Sequence, residues 1–194
     1  MTIMQKAIQL LTLVLLLTTL NSCGYNKMVE MDEDVKGAWS QVINVYEYRA
    51  SLAPALIKAV KEANALTSEQ IKTLESSTQK ATEAMKDKTP SLNEDYLKAF
   101  ESSQIELTKS IDKVFEASRK DQRVDEFANK VQSNAVFEDL LASLTSAEVR
   151  IKTERKKYNK EVTEYNKYIR SMPQKATSGI MGFGELPLYG MQAN

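Results

Sequence analysis

The chain is predicted to be all-α: an antiparallel up-and-down four-helix bundle with long first and last helices. Three observations predict it. Apolar residues recur at heptad spacing through two long stretches, and no segment between the helical patterns carries a strand signal. The composition, 42% hydrophobic and 27% charged with six Gly and four Pro in 194 residues, is that of one domain rich in helix formers. The clearest pattern runs from Asn134 to Met172. There Phe137, Leu144, Ile151, Tyr158, Tyr165 and Met172 form one row, and Leu141, Glu148, Arg155, Val162 and Ile169 form its companion. About 36 residues without Gly or Pro make a rod of roughly 50 Å. Its single apolar stripe needs partners.

In chain order, the first residues are MTIMQKAIQLLTLVLLLTTLNSC, with Lys6 ahead of an apolar run from Ala7 to Leu20. The run is short for a membrane span and fits a secretory leader. Leu20, Asn21, Ser22 and the single cysteine, Cys23, resemble a bacterial lipobox. That resemblance implies removal of residues 1–22 and acylation of Cys23, which would anchor the protein to membrane lipid. An uncleaved helix from Ile3 to Leu20 and a free thiol are the alternatives. Only a few residues follow Cys23 before helical pattern begins, so the domain is expected close to the bilayer and outside the cytoplasm.

The first mature helix is expected from about Lys27 or Asp32 to about Ala65. Met28, Val35, Val42, Arg49, Leu56 and Ala63 form one row, Ala38, Val45, Leu52 and Ala59 a second, and Trp39 and Tyr46 widen the stripe. Pro54 removes one backbone hydrogen bond and is expected to bend the rod near Ala50. Thr67 and Gln70 read as a capping box opening a weak second helix with Ile71, Leu74, Thr78, Ala81 and Met85 on one face. Pro90 follows its end, and Ser91 with Glu94 reads as a second box. The third helix then carries Leu97, Phe100, Leu107, Ile111, Val114 and Phe115, with Gln104 breaking the row. From Ser118 to Ser133 only Val124, Phe127 and Val131 keep a rhythm, as in a bent continuation.

Two core rows carry charge where a bundle ordinarily has leucine, and this selects a register. Opposing Arg49 to Glu148 aligns Met28 with Ile169, Val35 with Val162, Val42 with Arg155 and Leu56 with Leu141. A slip of one heptad would face Arg49 with Arg155. Arg49, Glu148 and Arg155 are therefore the predicted structural polar core, with a partly buried Arg49–Glu148 pair serving specificity more than stability. The alternative is that the side chains snorkel to solvent from the seam edge.

In the last helix Asn134, Phe137, Leu140, Leu144, Glu148, Arg150, Ile151, Arg155, Tyr158, Asn159, Val162, Tyr165 and Asn166 match the pattern N..F..L...L...E.RI...R..YN..V..YN. On these residues, on GYNKMVEMDEDVKGAWSQVINVYEYRASLAPALIKAVK and on MPQKATSGIMGFGELPLYG, the chain resembles the LemA family over nearly its whole mature length. Tyr48 stands where the family commonly has an arginine, and Ala55 replaces an asparagine. The resemblance implies a helical bundle anchored in the cell envelope with no established enzymatic activity. It also implies an envelope protein partner, a TPM-domain protein or a membrane metallopeptidase.

The residues themselves point away from catalysis. There is no histidine, so the commonest general base and metal ligand is missing, and acylation would consume the lone cysteine. No spacing joins a nucleophile to a base. Gly182, Phe183 and Gly184 are too short for a phosphate loop. No catalytic, cofactor or metal residues are expected, and zero net charge gives no reason to expect nucleic acid. Tyr158, Asn159, Tyr165 and Asn166 read as seam tyrosines with asparagines bonding neighbouring helices. Arg155, Lys156, Lys157 and Lys160 read as a solvated basic face, or as a contact for acidic head groups.

Residues 23–172 thus form the expected bundle, and residues 173–194 an apolar, Gly-containing tail. Ile180, Phe183, Leu186, Leu188 and Tyr189 are its candidate partner or membrane contacts. The tail is expected at the same pole as Cys23, either closing the bundle, docking a partner or lying in the lipid interface. The function expected is a non-catalytic scaffold or adaptor; the alternative is an envelope sensor for a small ligand or peptide, opening at the weak second helix.

Overall fold

The computed structural model describes residues 3–62, 66–87, 90–120 and 135–190, with side chains described at 4–5, 24–62, 66–87, 90–116 and 137–190. These residues form five α-helices and no strand: α1 (Ile3–Glu62), α2 (Ser68–Ala84), α3 (Glu94–Lys120), α4 (Ala135–Arg170) and α5 (Gln174–Met181). The all-α expectation holds, with one helix more than the heptad pattern announced. The helix expected from about Lys27 is continuous from Ile3, passing through Cys23 and Pro54. The Cys23 side chain and the rhythm of Val124, Phe127 and Val131 lie outside the described residues. Among the described residues no helix is long and apolar enough to cross a membrane.

Local chemistry sets the breaks. The Thr67 hydroxyl accepts from Gln70 N at 3.3 Å, and Gln70 Oε1 accepts from Thr67 N at 2.8 Å, a complete capping box. The expected Ser91–Glu94 box is replaced by an asparagine cap: α3 starts at Glu94, and Asn93 Oδ1 accepts from Tyr96 N at 2.8 Å. A carboxamide immediately before the first turn reaches the free amide of the third helical residue, which Ser91 stands too far back to do.

The two long rods, α1 and α4, pack most extensively, and α2 lies chiefly against α3. Along α1, Met28, Val35, Val42 and Leu56 are fully buried, as are Tyr158 and Val162 on α4. α3 begins beside Trp39, where Tyr96 and Phe100 meet the indole at 5.9 and 5.2 Å. Toward the Met28 end, α1 and α4 therefore extend past α3, yet Met28, Val35, Tyr165 and Ile169 are still buried there. α5 and the residues after it contribute to this cover: α5 packs on both α1 and α4, and Phe183 meets Tyr25 edge to face at 5.9 Å.

Of the three placements expected for the tail, closure of the bundle is the one these contacts fit. Tyr189 is 1% exposed, and Phe183 and Leu186 pack half-buried against the core. Ile180 at 82% and Leu188 at 39% do face solvent. Met172, expected in the seam, is 76% exposed because α4 ends at Arg170 and Pro173 redirects the chain.

Candidate functional site

Arg49 lies on the buried face of α1 and is 1% exposed, so its charge requires acceptors inside the protein. Its Nη1 donates to Glu148 Oε1 at 2.8 Å and to Thr108 Oγ1 at 2.6 Å. Nη2 donates to Gln104 Oε1 at 2.8 Å and to the Gln104 carbonyl at 3.2 Å. The guanidinium also sits 5.0 Å from the Tyr46 ring centroid. Gln104 Nε2 continues to the Ala81 carbonyl at 3.3 Å, so one level of side chains joins α1, α3, α4 and α2. The carboxylate of Glu148 reaches solvent, with 39% of its side chain exposed, which limits the desolvation cost of the ion pair.

The Arg49–Glu148 contact matches the register chosen from the charged rows. Arg155 makes its contacts beside that layer: it donates to the Gly190 carbonyl at 2.7 Å, lies 4.9 Å from the Tyr189 ring centroid and stands 3.8 Å from the Glu101 carboxylate. Gln104 looked only like an interruption of an apolar row. Its role needs Arg49 as a neighbour across the fold, which spacing along α3 does not reveal.

A second cluster lies beside the first. After α5, Gly182 takes a left-handed conformation at φ 80°, and both its N–H and that of Phe183 bond to the Ser178 carbonyl. The chain then runs along α4 as an extended strap, residues 183–190. Extended backbone cannot pair with helix backbone, whose groups are already bonded to one another. Side-chain amides supply what is missing. Asn166 Oδ1 accepts from Leu186 N at 2.9 Å while its Nδ2 donates to Leu186 O at 2.8 Å. Seven residues earlier, Asn159 does the same for Tyr189, at 2.8 and 3.0 Å. Between them the Tyr158 hydroxyl donates to the Pro187 carbonyl at 3.0 Å. The asparagines thus bond the chain's own tail, where the sequence suggested neighbouring helices. The spacing matches: seven helical residues advance roughly 10.5 Å and three extended residues about 10 Å.

The strap delivers Tyr189 into a box of aromatic side chains. Its ring is 5.2 Å from Trp39 at 90° and 5.8 Å from Phe100, and its hydroxyl meets that of Tyr46 at 3.0 Å. Tyr158 closes on the same indole at 5.2 Å. Edge-to-face packing of this kind adds to burial. Burial pushes the phenols of Tyr46, Tyr158 and Tyr189 above the ordinary tyrosine value, and that of Tyr165 up to about 12. They stay protonated at neutral pH and act as ring surface and hydrogen-bonding groups. Gly190, at φ 62°, allows the close approach of Arg155, since a Cβ there would overlap the guanidinium.

Beyond the strap's end an open cleft of about 560 Å³ lies between α3 and α4, lined in part by Ile111, Phe115, Leu144, Thr145 and Glu148. Of the expected basic face, Arg155 is turned to the strap, while Lys157 and Lys160 pair with Glu154 and Glu164. Among the described residues no group of three His, Cys, Asp or Glu side chains could hold a metal ion.

These features define an all-α protein with a buried ionic layer and a C-terminal strap clamped onto one of its long helices. The sequence model of the LemA family matches residues 38–194, and the chain belongs to that family. It is a family commonly associated with the cell envelope and not known as enzymatic. No curated protein matches the chain.

Proposed function

We propose that this LemA-family protein is a non-catalytic scaffold or adaptor of the cell envelope, anchored by lipid at Cys23, whose four long helices form an antiparallel up-and-down bundle. Two contacts support the arrangement: Arg49 with Glu148, and Trp39 with Tyr158, in which a rise along α1 is matched by an equal fall along α4. One observation carries the functional reading. Tyr25, two residues after Cys23, touches Phe183, and the nearby segment leaves Met172, Ile180 and Met181 exposed. Apolar side chains are thereby offered to a protein partner close to the attachment point. By family resemblance the partner is a TPM-domain protein or a membrane metallopeptidase.

A photo-crosslinker at Ile180 in the acylated protein is expected to capture one envelope protein. Cys23→Ala is expected to release the chain from the membrane fraction and abolish capture. Membrane recovery equal to that of the unsubstituted chain would defeat the lipid anchor, and cross-links to lipid alone would defeat the partner. The cleft between α3 and α4 supports a second reading, an envelope sensor for a small ligand. A metabolite that raises the melting temperature of the lipid-free domain, with the effect lost on Leu144→Trp, would favour it.

A further inference from the structure

We propose that the strap occupies a binding site for extended peptide, and that this site accepts the same segment, residues 183–190, from a second copy of the chain. The site consists of Tyr158, Asn159 and Asn166 on α4, and the pocket that Trp39, Tyr46 and Phe100 form for an aromatic side chain. It is a site because its polar contacts address backbone. Four amide bonds, the Tyr158 bond and the Arg155 bond all end on main-chain groups of the strap. Side-chain recognition is concentrated in Tyr189, buried in the aromatic box, with Leu186 half-buried three positions before it. This is the chemistry by which proteins bind peptides in trans: paired bonds hold the extended backbone, and one pocket sets the sequence.

The ligand that fits is the one each copy carries. The strap is joined to α5 through left-handed Gly182, where two backbone dihedrals redirect the eight residues beyond it. Exchange between copies would remake every strap contact, so its cost is mainly the loss of tethering. A short tether acts as an effective concentration of about a millimolar, which keeps the strap in its own groove in dilute solution. Crowding of copies, or weakening of one strap, shifts occupancy to the neighbour's segment.

Complementation of two full-length variants tests this. Tyr189→Ala leaves the groove intact and removes the strap's anchor; Asn159→Ala keeps the anchor and removes one amide clamp. Mixed at a few hundred micromolar, the two are expected to form a one-to-one dimer by light scattering, which neither variant forms alone. In parallel, the peptide GFGELPLYG is titrated into full-length Tyr189→Ala. Trp39, the single tryptophan, should report saturable binding, weakened at least tenfold by adding Asn159→Ala or by replacing the peptide's tyrosine with alanine. Each variant is first checked for native helix content by circular dichroism, and Tyr189→Leu, which keeps apolar volume but loses the ring and hydroxyl, serves as the host should the alanine variant lose it. Failure of a folded host to bind millimolar peptide, or binding indifferent to Asn159, overturns the site. Peptide binding without a mixed dimer overturns the exchange between copies.

Discussion

The strap and the Arg49 layer are neighbouring parts of one interior, and they satisfy buried polar groups in opposite ways. At Arg49 the demand comes from a side chain, and three residues from two other helices meet its two terminal nitrogens, with Nε left without a partner and Glu148 open to water. At the strap the demand comes from backbone, and two asparagines on a single helix meet it in pairs. The first arrangement discriminates the register of helices, because a heptad slip leaves a charge facing a like charge. The second is indifferent to the strap's sequence except where Tyr189 enters the aromatic box. One therefore defines how long helices align, and the other holds a segment by shape and one anchor.

Four measurements sharpen this contrast. The largest effect is expected from Tyr189→Ala, which empties a fully enclosed ring site and should lower unfolding free energy by about 3–5 kcal/mol in urea titration. A loss below 1 kcal/mol would mean that the anchor contributes little. Glu148→Ala comes next. Removing one member of a buried pair costs about 3–5 kcal/mol, and solvent access at Glu148 reduces the expectation to roughly 2 kcal/mol. Equal loss in Glu148→Gln would assign the effect to the charge, whereas retained stability would assign it to the hydrogen bond.

Asn159→Ala should cost about 1–2 kcal/mol by leaving Tyr189 N–H and C=O without partners. Amide exchange should then quicken at Tyr189 and much less at Ala81 or Gln104. Exchange that quickens equally in both regions would show that strap and ionic layer open as one unit. The smallest effect at neutral pH belongs to Tyr189→Phe, and it grows only in alkali. Burial raises the folded-state values of Tyr46, Tyr158, Tyr165 and Tyr189 above the ordinary 10.0. Their stabilising contribution is thus complete below pH 10 and is lost as pH rises past it, because the unfolded chain releases these protons first. Unfolding free energy should fall above pH 10, and less steeply in Tyr189→Phe. Equal slopes would contradict the burial of that hydroxyl.

How much of this was legible depends on whether a residue's partners lie at a fixed offset along a helix. Thr67 and Gln70 could be read as a cap because both partners sit within one turn. Arg49 and Glu148 could be matched because two heptad rows, each interrupted by charge, admit few alignments. Ser91 misled because Asn93 lies closer to the first free amides. Gln104, Asn159 and Asn166 were visible as polar residues in helical rows. Their acceptors and donors come from Arg49 and from a tail 20 to 30 residues away, and no periodicity reports those.

By itself the sequence determined the all-α class, the two long rods, the family and the placement of charge in a core row. These follow from local propensity and a repeating pattern, which act on each stretch separately. Only the tertiary structure decided that the apolar tail folds back as a strap, that its tyrosine is enclosed, and that Arg155 serves the strap while Gln104 serves Arg49. The physical reason is that α1 and α4 extend past α3 and keep apolar surface buried there. The element covering that surface is chosen by three-dimensional proximity, in which residues distant along the chain compete for one seam.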